Sequence, residues 1–222
     1  MFARRKRKDQ PDRKTSAEIA VSEHPDTPRH QLVASEIVLL ATVLVCTIMI
    51  WNDNVNIYGI SYFGVTTPTL PVVAIGFVVG SLILITASKK LPDFAPYRLV
   101  KFTLRVVSVG IVLLLLTPYT VDTFFNWTHM ILGGVIFAIE MYTGAVICFR
   151  HLPDRVSRIA LGIQFLGGLL AMFSLPDHML NFMLEGEVIF QLGFMVSLNH
   201  LLQIPPARFA RPVTQATDQQ LS

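Results

Sequence analysis

The sequence predicts an all-α, polytopic integral membrane protein: a six-transmembrane-helix bundle with both termini cytoplasmic. Composition is the first reason. Of 222 residues, 52% are hydrophobic and 15% charged, against roughly 25% charged in an ordinary soluble domain. Charge placement is the second. Residues 1–30 hold 8 of the 18 Lys/Arg and 5 of the 15 Asp/Glu, so the rest of the chain carries ten of each sign and the formal net charge of +3 belongs to the N-terminal segment. The third is six long apolar runs with no period-two alternation, which read as helices rather than barrel strands. A mean hydropathy of +0.54 excludes a soluble globule and a disordered chain. The two cysteines, Cys46 and Cys148, both lie in apolar runs, which excludes a disulfide framework and a four-cysteine metal site.

Taken in order, the expected spans are Leu32–Trp51, Pro71–Ala87, Leu99–Pro118, His129–Phe149, Ile159–Leu175 and Val188–Ile204. Crossing about 30 Å of hydrocarbon takes roughly 20 residues, with ~17 at the short end. Asn52-Asp53-Asn54 ends the first run, and Lys89-Lys90 with Pro92 and Pro96 separates the second from the third. Pro118 to Asn126, Arg150 to Arg158 and Pro176-Asp177-His178 make the later breaks. Six spans put both tails and the second and fourth loops on one side, and all 18 Lys/Arg sort there. Basic residues stay cytoplasmic, which fixes the expected orientation.

Three segments follow: a basic disordered cytoplasmic tail over 1–31, the transmembrane domain over 32–204, and a disordered cytoplasmic tail over 205–222. Arg4–Lys8 is a run of five basic residues that either attracts anionic lipid headgroups or simply obeys the positive-inside rule. No apolar core follows it before residue 32, so it does not read as a signal peptide. On a chain with these spans it does not read as a nucleic-acid site either.

Helices in lipid associate where small residues let backbones approach. Gly76 and Gly80 in span two and Gly167 and Ala171 in span five have the GxxxG separation, and Gly133, Gly134 and Gly144 lie in span four. These faces suit packing inside the bundle or pairing with a second copy of the chain.

The motifs of soluble catalysis are missing: no GxxxxGK[ST], HExxH, CxxC or GxSxG occurs. Gly59-Ile-Ser61-Tyr-Phe-Gly64 has one residue too many for a nucleophile elbow. No lysine follows Lys101, which excludes a late-helix Schiff base. Asn126-Trp127-Thr128 forms a glycosylation sequon beside span four. Towards the outer face lie Asp53, Asp122, His129, Asp177, His178, Glu185 and Glu187 with no Lys or Arg among them. They form a set suited to a cation, a proton or a headgroup amine, or simply a solvated acidic face. Their spacing fits no metal signature, and neither a metal nor another cofactor is expected. Glu140 lies 11 residues beyond His129, about 16 Å deeper at 1.5 Å per residue and on nearly the same helix face. An ionisable residue at that depth is a functional candidate by default; hydrogen bonding to Gln164, Gln191 or Asn199 is the structural alternative.

Six spans with both ends inside, the outer-loop pattern Ile60-Ser61-x-x-Gly64-x-x-x-Pro68 and a histidine opening span four at His129 resemble the Frag1/DRAM/Sfk1 group and the related DUF998 membrane proteins of bacteria and archaea. The chain departs from that pattern at Tyr58, where the family often has proline, and at Thr69, where it often has an acidic residue. The resemblance implies a lipid-facing, non-catalytic role; the location expected is the plasma (cytoplasmic) membrane of a prokaryote. The function expected is accordingly a non-enzymatic protein that binds membrane lipids or a partner membrane protein, a second copy included. Tyr58, Tyr62 and Phe63 in the first outer loop suit the headgroup level. The alternative is a proton-coupled transporter or an intramembrane enzyme built on Glu140 and the outer His/carboxylate set.

Overall fold

The computed structural model describes residues 26–175 and 180–209. Asp177 and His178 lie outside the described residues, as do most of both expected tails. Every element described is helical: α1 (Asp26–Met49), short α2 (Asp53–Tyr58) and α3 (Ile60–Phe63), α4 (Leu70–Lys90), α5 (Tyr97–Leu116), α6 (Thr123–Val146), α7 (Arg155–Ser174) and α8 (Met183–Gln203). A wider π-helical turn, Ile147–His151, extends α6.

The helices outrun the apolar stretches because their ends are polar. Asp122 caps α6, its side chain accepting the Phe125 N–H at 2.8 Å. Asp154 caps α7 by accepting from Ser157 N–H at 2.9 Å. Each satisfies a donor that the first helical turn leaves without a partner, so Thr123–Thr128 and Arg155–Arg158 are helical although their hydropathy reads as loop. Likewise α1 begins at Asp26, inside the expected tail 1–31. Beyond residue 204, Pro206–Arg208 form a 3-10 turn and Phe209 packs edge-on against Tyr97.

Five helices are long and apolar enough to cross a membrane: α1, α4, α5, α6 with its π turn, and α7. The sixth long helix, α8, has 21 residues, but Glu185, Glu187, Gln191, Asn199 and His200 dilute its hydropathy.

The six long helices alternate in direction between two ends. At one end Ser61 meets His129, and Ile60 meets Glu187. At the other Arg29 donates to Asn199 (2.8 Å), the Tyr97 hydroxyl donates to the Ile204 carbonyl (3.1 Å), and His200 meets Asp154 (2.7 Å). The second end carries every described Lys and Arg and is termed the basic end; the first is the acidic end.

Polarity runs inside out. Ile48 is 74% exposed and Phe149 71%, whereas Ser35, Thr103, Thr143, Gln164 and Ser197 are buried. An apolar perimeter around a polar interior suits hydrocarbon surroundings, where polar groups are driven to bond across helices. Thr103 and Thr143 share a 2.7 Å hydrogen bond between α5 and α6, and Ser35 donates to the Gly80 carbonyl at 2.9 Å between α1 and α4.

Neighbour relations define the architecture. Helices α1, α4, α5, α6 and α8 each touch the next, and α8 returns to α1, closing a ring; α7 stands behind it, packed chiefly on α8. Near the basic end the ring is filled by Leu32, Leu84, Leu104, Val107, Phe194 and Leu198. Towards the acidic end it is hollow.

Candidate functional site

A partly open cavity of about 210 Å³ occupies the ring, reaching from the acidic-end loop to mid-helix. Its walls are mostly aliphatic and aromatic, with Leu39, Val43, Phe77, Ile111, Leu115 and Phe137 among them. Six polar side chains reach it: Glu36 of α1, Ser61 of α3, His129 and Glu140 of α6, and Glu187 and Gln191 of α8. Among the described residues no Lys or Arg lines it.

The loop end is held by two bonds that place α3. Glu187 Oε2 accepts the Ile60 N–H at 2.7 Å. That approach requires glycine at 59: its φ of +63° is one that side chains avoid, and a Cβ there would run into the Glu187 carboxylate and Met183. Next in sequence, Ser61 Oγ lies 2.8 Å from His129 Nε2, and His129 Nδ1 lies 2.8 Å from the Thr117 carbonyl oxygen. A carbonyl only accepts, so Nδ1 carries a proton; in the neutral imidazole Nε2 then presents its lone pair and Ser61 is the donor. The residues after Ser61 also contribute: Gly64 lines the cavity, whereas Pro68 is exposed just before α4.

Above this pair stands an aromatic cluster. Tyr58 stacks on Tyr62 and on Tyr119 with centroids 6.1 and 5.7 Å apart, and Tyr119 packs against the His129 ring. Burial, then the neighbouring Tyr58 and Tyr62 hydroxyls, push the Tyr119 hydroxyl up to about 12, so it stays neutral over the physiological range.

Deeper in the cavity are two carboxyls. Glu140 is 1% exposed, and Gln191 Nε2 donates to its Oε2 at 3.0 Å. Of the three partners expected for Glu140, Gln191 is the one that reaches it. Asn199 is taken by Arg29 at the basic end, and Gln164, buried between α6 and α8, has neither of its amide atoms bonded. Glu36 is 7% exposed and lines the same cavity as Glu140. Among the described residues it has no hydrogen-bond partner.

The expected polar set therefore divides. Glu140, His129 and Glu187 converge on the cavity; Asp122, Asp53 and Glu185 do not. Asp122 is engaged as the α6 cap. Asp53 is exposed in the first turn of α2, whose cap is Asn52. Glu185 precedes Glu187 by two residues, about 200° around a helix, which turns it away from the ring; its Oε2 is buried without a partner. Glu36 was missed by sequence reasoning, although an acid five residues into the Leu32–Trp51 run was the available signal.

The glycines divide in the same way. A Cβ on Gly76 or Gly80 would strike Thr42 or Leu39, so this pair faces α1. A Cβ on Gly167 would strike the α8 backbone at Gly186, Ile189 and Phe190, and one on Gly193 the α7 backbone at Ala160 and Gln164. Ala171 sits opposite Gly186 on the same seam. At Gly133 and Gly134 a Cβ would meet nothing within 4 Å; Gly133 lines the cavity, and its missing side chain widens it.

Chemically, the arrangement joins an apolar chamber, a neutral Ser–His pair at its mouth and uncompensated carboxyls at its floor. Among the described residues no three His, Cys, Asp or Glu side chains are grouped as a metal site requires. No family model, curated protein or solved structure matches the chain.

Proposed function

We propose that this chain is a six-span membrane protein, α8 being the sixth span and the basic end cytoplasmic, which binds a lipid-like amphiphile in the ring cavity from the outer side. The carrying observation is the cavity itself: an apolar chamber with a few convergent polar groups is the usual form of a small-molecule site. Its 210 Å³ falls below the ~300–1,000 Å³ of drug-sized sites, which suits a headgroup or a single chain segment rather than a whole two-chain lipid. The positive-inside rule supports the orientation. The polar residues of α8 are compatible with a span because Glu187, Gln191 and Asn199 bond to the rest of the protein.

Two measurements test this. A long-chain alcohol bearing a diazirine, photolysed in the membrane, should label peptides containing Phe77, Ile111 or Phe137. Labelling confined to perimeter residues such as Ile75 and Ile131 would sink the cavity reading. Single cysteines at Asn181 and Arg208 should react with an impermeant maleimide only from outside and only from inside, respectively. Reaction of both from one side removes α8 as a span.

A second reading, an intramembrane acyl-transfer enzyme, is favoured by the Ser61–His129 bond, since a nucleophile donating to a base is how serine hydrolases begin. Binding is preferred because the imidazole is oriented by the Thr117 carbonyl rather than by a carboxylate, which would stabilise an imidazolium better. A fluorophosphonate probe separates the two readings: Ser61 should remain unlabelled in the binding protein and be modified in the enzyme.

A further inference from the structure

Resting on the reading of the cavity as an amphiphile site, we propose that its ligand carries a protonated amine, held between the carboxyls of Glu36 and Glu140. Glu36 is buried, lines the cavity and has no partner among the described residues. Glu140 is hydrogen-bonded through Oε2 only and lines the same cavity. Glu187 is engaged by the Ile60 N–H, and among the described residues no Lys or Arg lines the chamber. Two carboxyls lining one apolar chamber can ionise together only beside a counter-charge, and the described lining residues do not supply one.

The lining selects the kind of cation. A divalent ion that sheds its water requires six or more oxygen ligands, and this floor offers two carboxyls and one amide among hydrocarbon walls. An alkylammonium has donors for both carboxyls and a chain that suits Leu39, Val43, Ile111 and Leu115. Phe137, stacked on Phe190 with centroids 4.3 Å apart, adds an aromatic ring to the wall, a surface that attracts ammonium groups.

The test uses the full chain in phosphatidylcholine nanodiscs, with radiolabelled dodecylamine and dodecanol as probes and empty discs as the blank. Wild type should bind the amine about tenfold or more tightly than the alcohol, on the scale of a charge-assisted hydrogen bond. Glu36→Gln and Glu140→Gln, close in shape to the native residues, should each bring the ratio of amine to alcohol binding, measured within the same variant, close to one. Equal binding of the two probes by wild type overturns the amine assignment, with protons then the counter-charge, and leaves the cavity reading standing. Persistence of the preference in both variants overturns it too, since the amine would then sit elsewhere. Failure of both probes to bind overturns the cavity reading itself. Should one variant not fold, the wild-type comparison and the other variant decide.

Discussion

The α7–α8 seam and the ring cavity are both shaped by glycine, with opposite results. On the seam, Gly167, Gly186 and Gly193 each bring one helix backbone against the other. On the cavity wall, Gly133 faces nothing. Lipid gives helices no hydrophobic reason to associate, so close backbone contact is what holds the seam together. Where such contact is absent on the inward face, the space is left for something else. The same residue type therefore marks rigidity behind the ring and vacancy within it.

Substitution of the seam should have the largest effect. Gly193→Leu puts a side chain into the Gln164 and Ala160 backbone, and neither helix can yield locally. A loss on the order of 3 kcal/mol or more is expected, read as a large fall in detergent melting temperature. A neutral result would mean that the seam is not tightly packed. Gly59→Ala comes next. It imposes a side chain on a positive φ and displaces the Glu187 carboxylate, at about 1–3 kcal/mol for the strain. Cysteine accessibility at Ile60 should rise as the loop detaches from α8; an unchanged pattern would deny the Glu187 tether its role.

Gly133→Leu sharpens the contrast from the other side. With open space at the Cβ, the fold should be disturbed by no more than about 0.5 kcal/mol, while photolabelling of the cavity by the diazirine alcohol falls sharply. Loss of stability comparable to that of Gly193→Leu would erase the distinction between seam and cavity.

The smallest effect belongs to the basic end. Asp154 is partly exposed and pairs with His200. Burial raises its carboxyl, but the Ser157 N–H and His200 outweigh that and hold it below the usual carboxylate range. A depressed folded-state value means that the contribution is present above the unfolded pKa near 4 and is lost as pH falls through the lower folded value. Asp154→Asn keeps the cap but removes the charge. It should cost about 1 kcal/mol or less at pH 7 and flatten the acid limb of the stability profile. An unaltered acid limb would show that the pair contributes nothing.

Much of the fold was legible because hydropathy is a local property. Each long helix grew around an apolar run, and the ends missed at Thr123–Thr128 and Arg155–Arg158 are those where a capping aspartate, not hydrophobicity, starts the helix. Glu140 and His129 could be singled out by depth and by sharing a face of one helix. Glu36 could not be joined to them, since it lies on α1, 93 residues before His129 and 104 before Glu140. Nor did spacing tell Glu187, which reaches the cavity, from Glu185, which turns away. Gly186 and Gly193 carried no GxxxG signal, because they stand seven residues apart on α8.

The sequence by itself determined that the chain is helical, apolar at its perimeter and sorted by charge between its two ends, because those follow from the residues of each segment and their immediate neighbours. Only the tertiary structure decided that five helices close a ring with the sixth behind it, which carboxyls line the hollow, and which glycines meet backbone. Those depend on the rotation of each helix about its axis and on its choice of neighbour. Both are settled by packing between segments far apart in the chain, and a hydropathy pattern with weak polarity around each helix does not encode them.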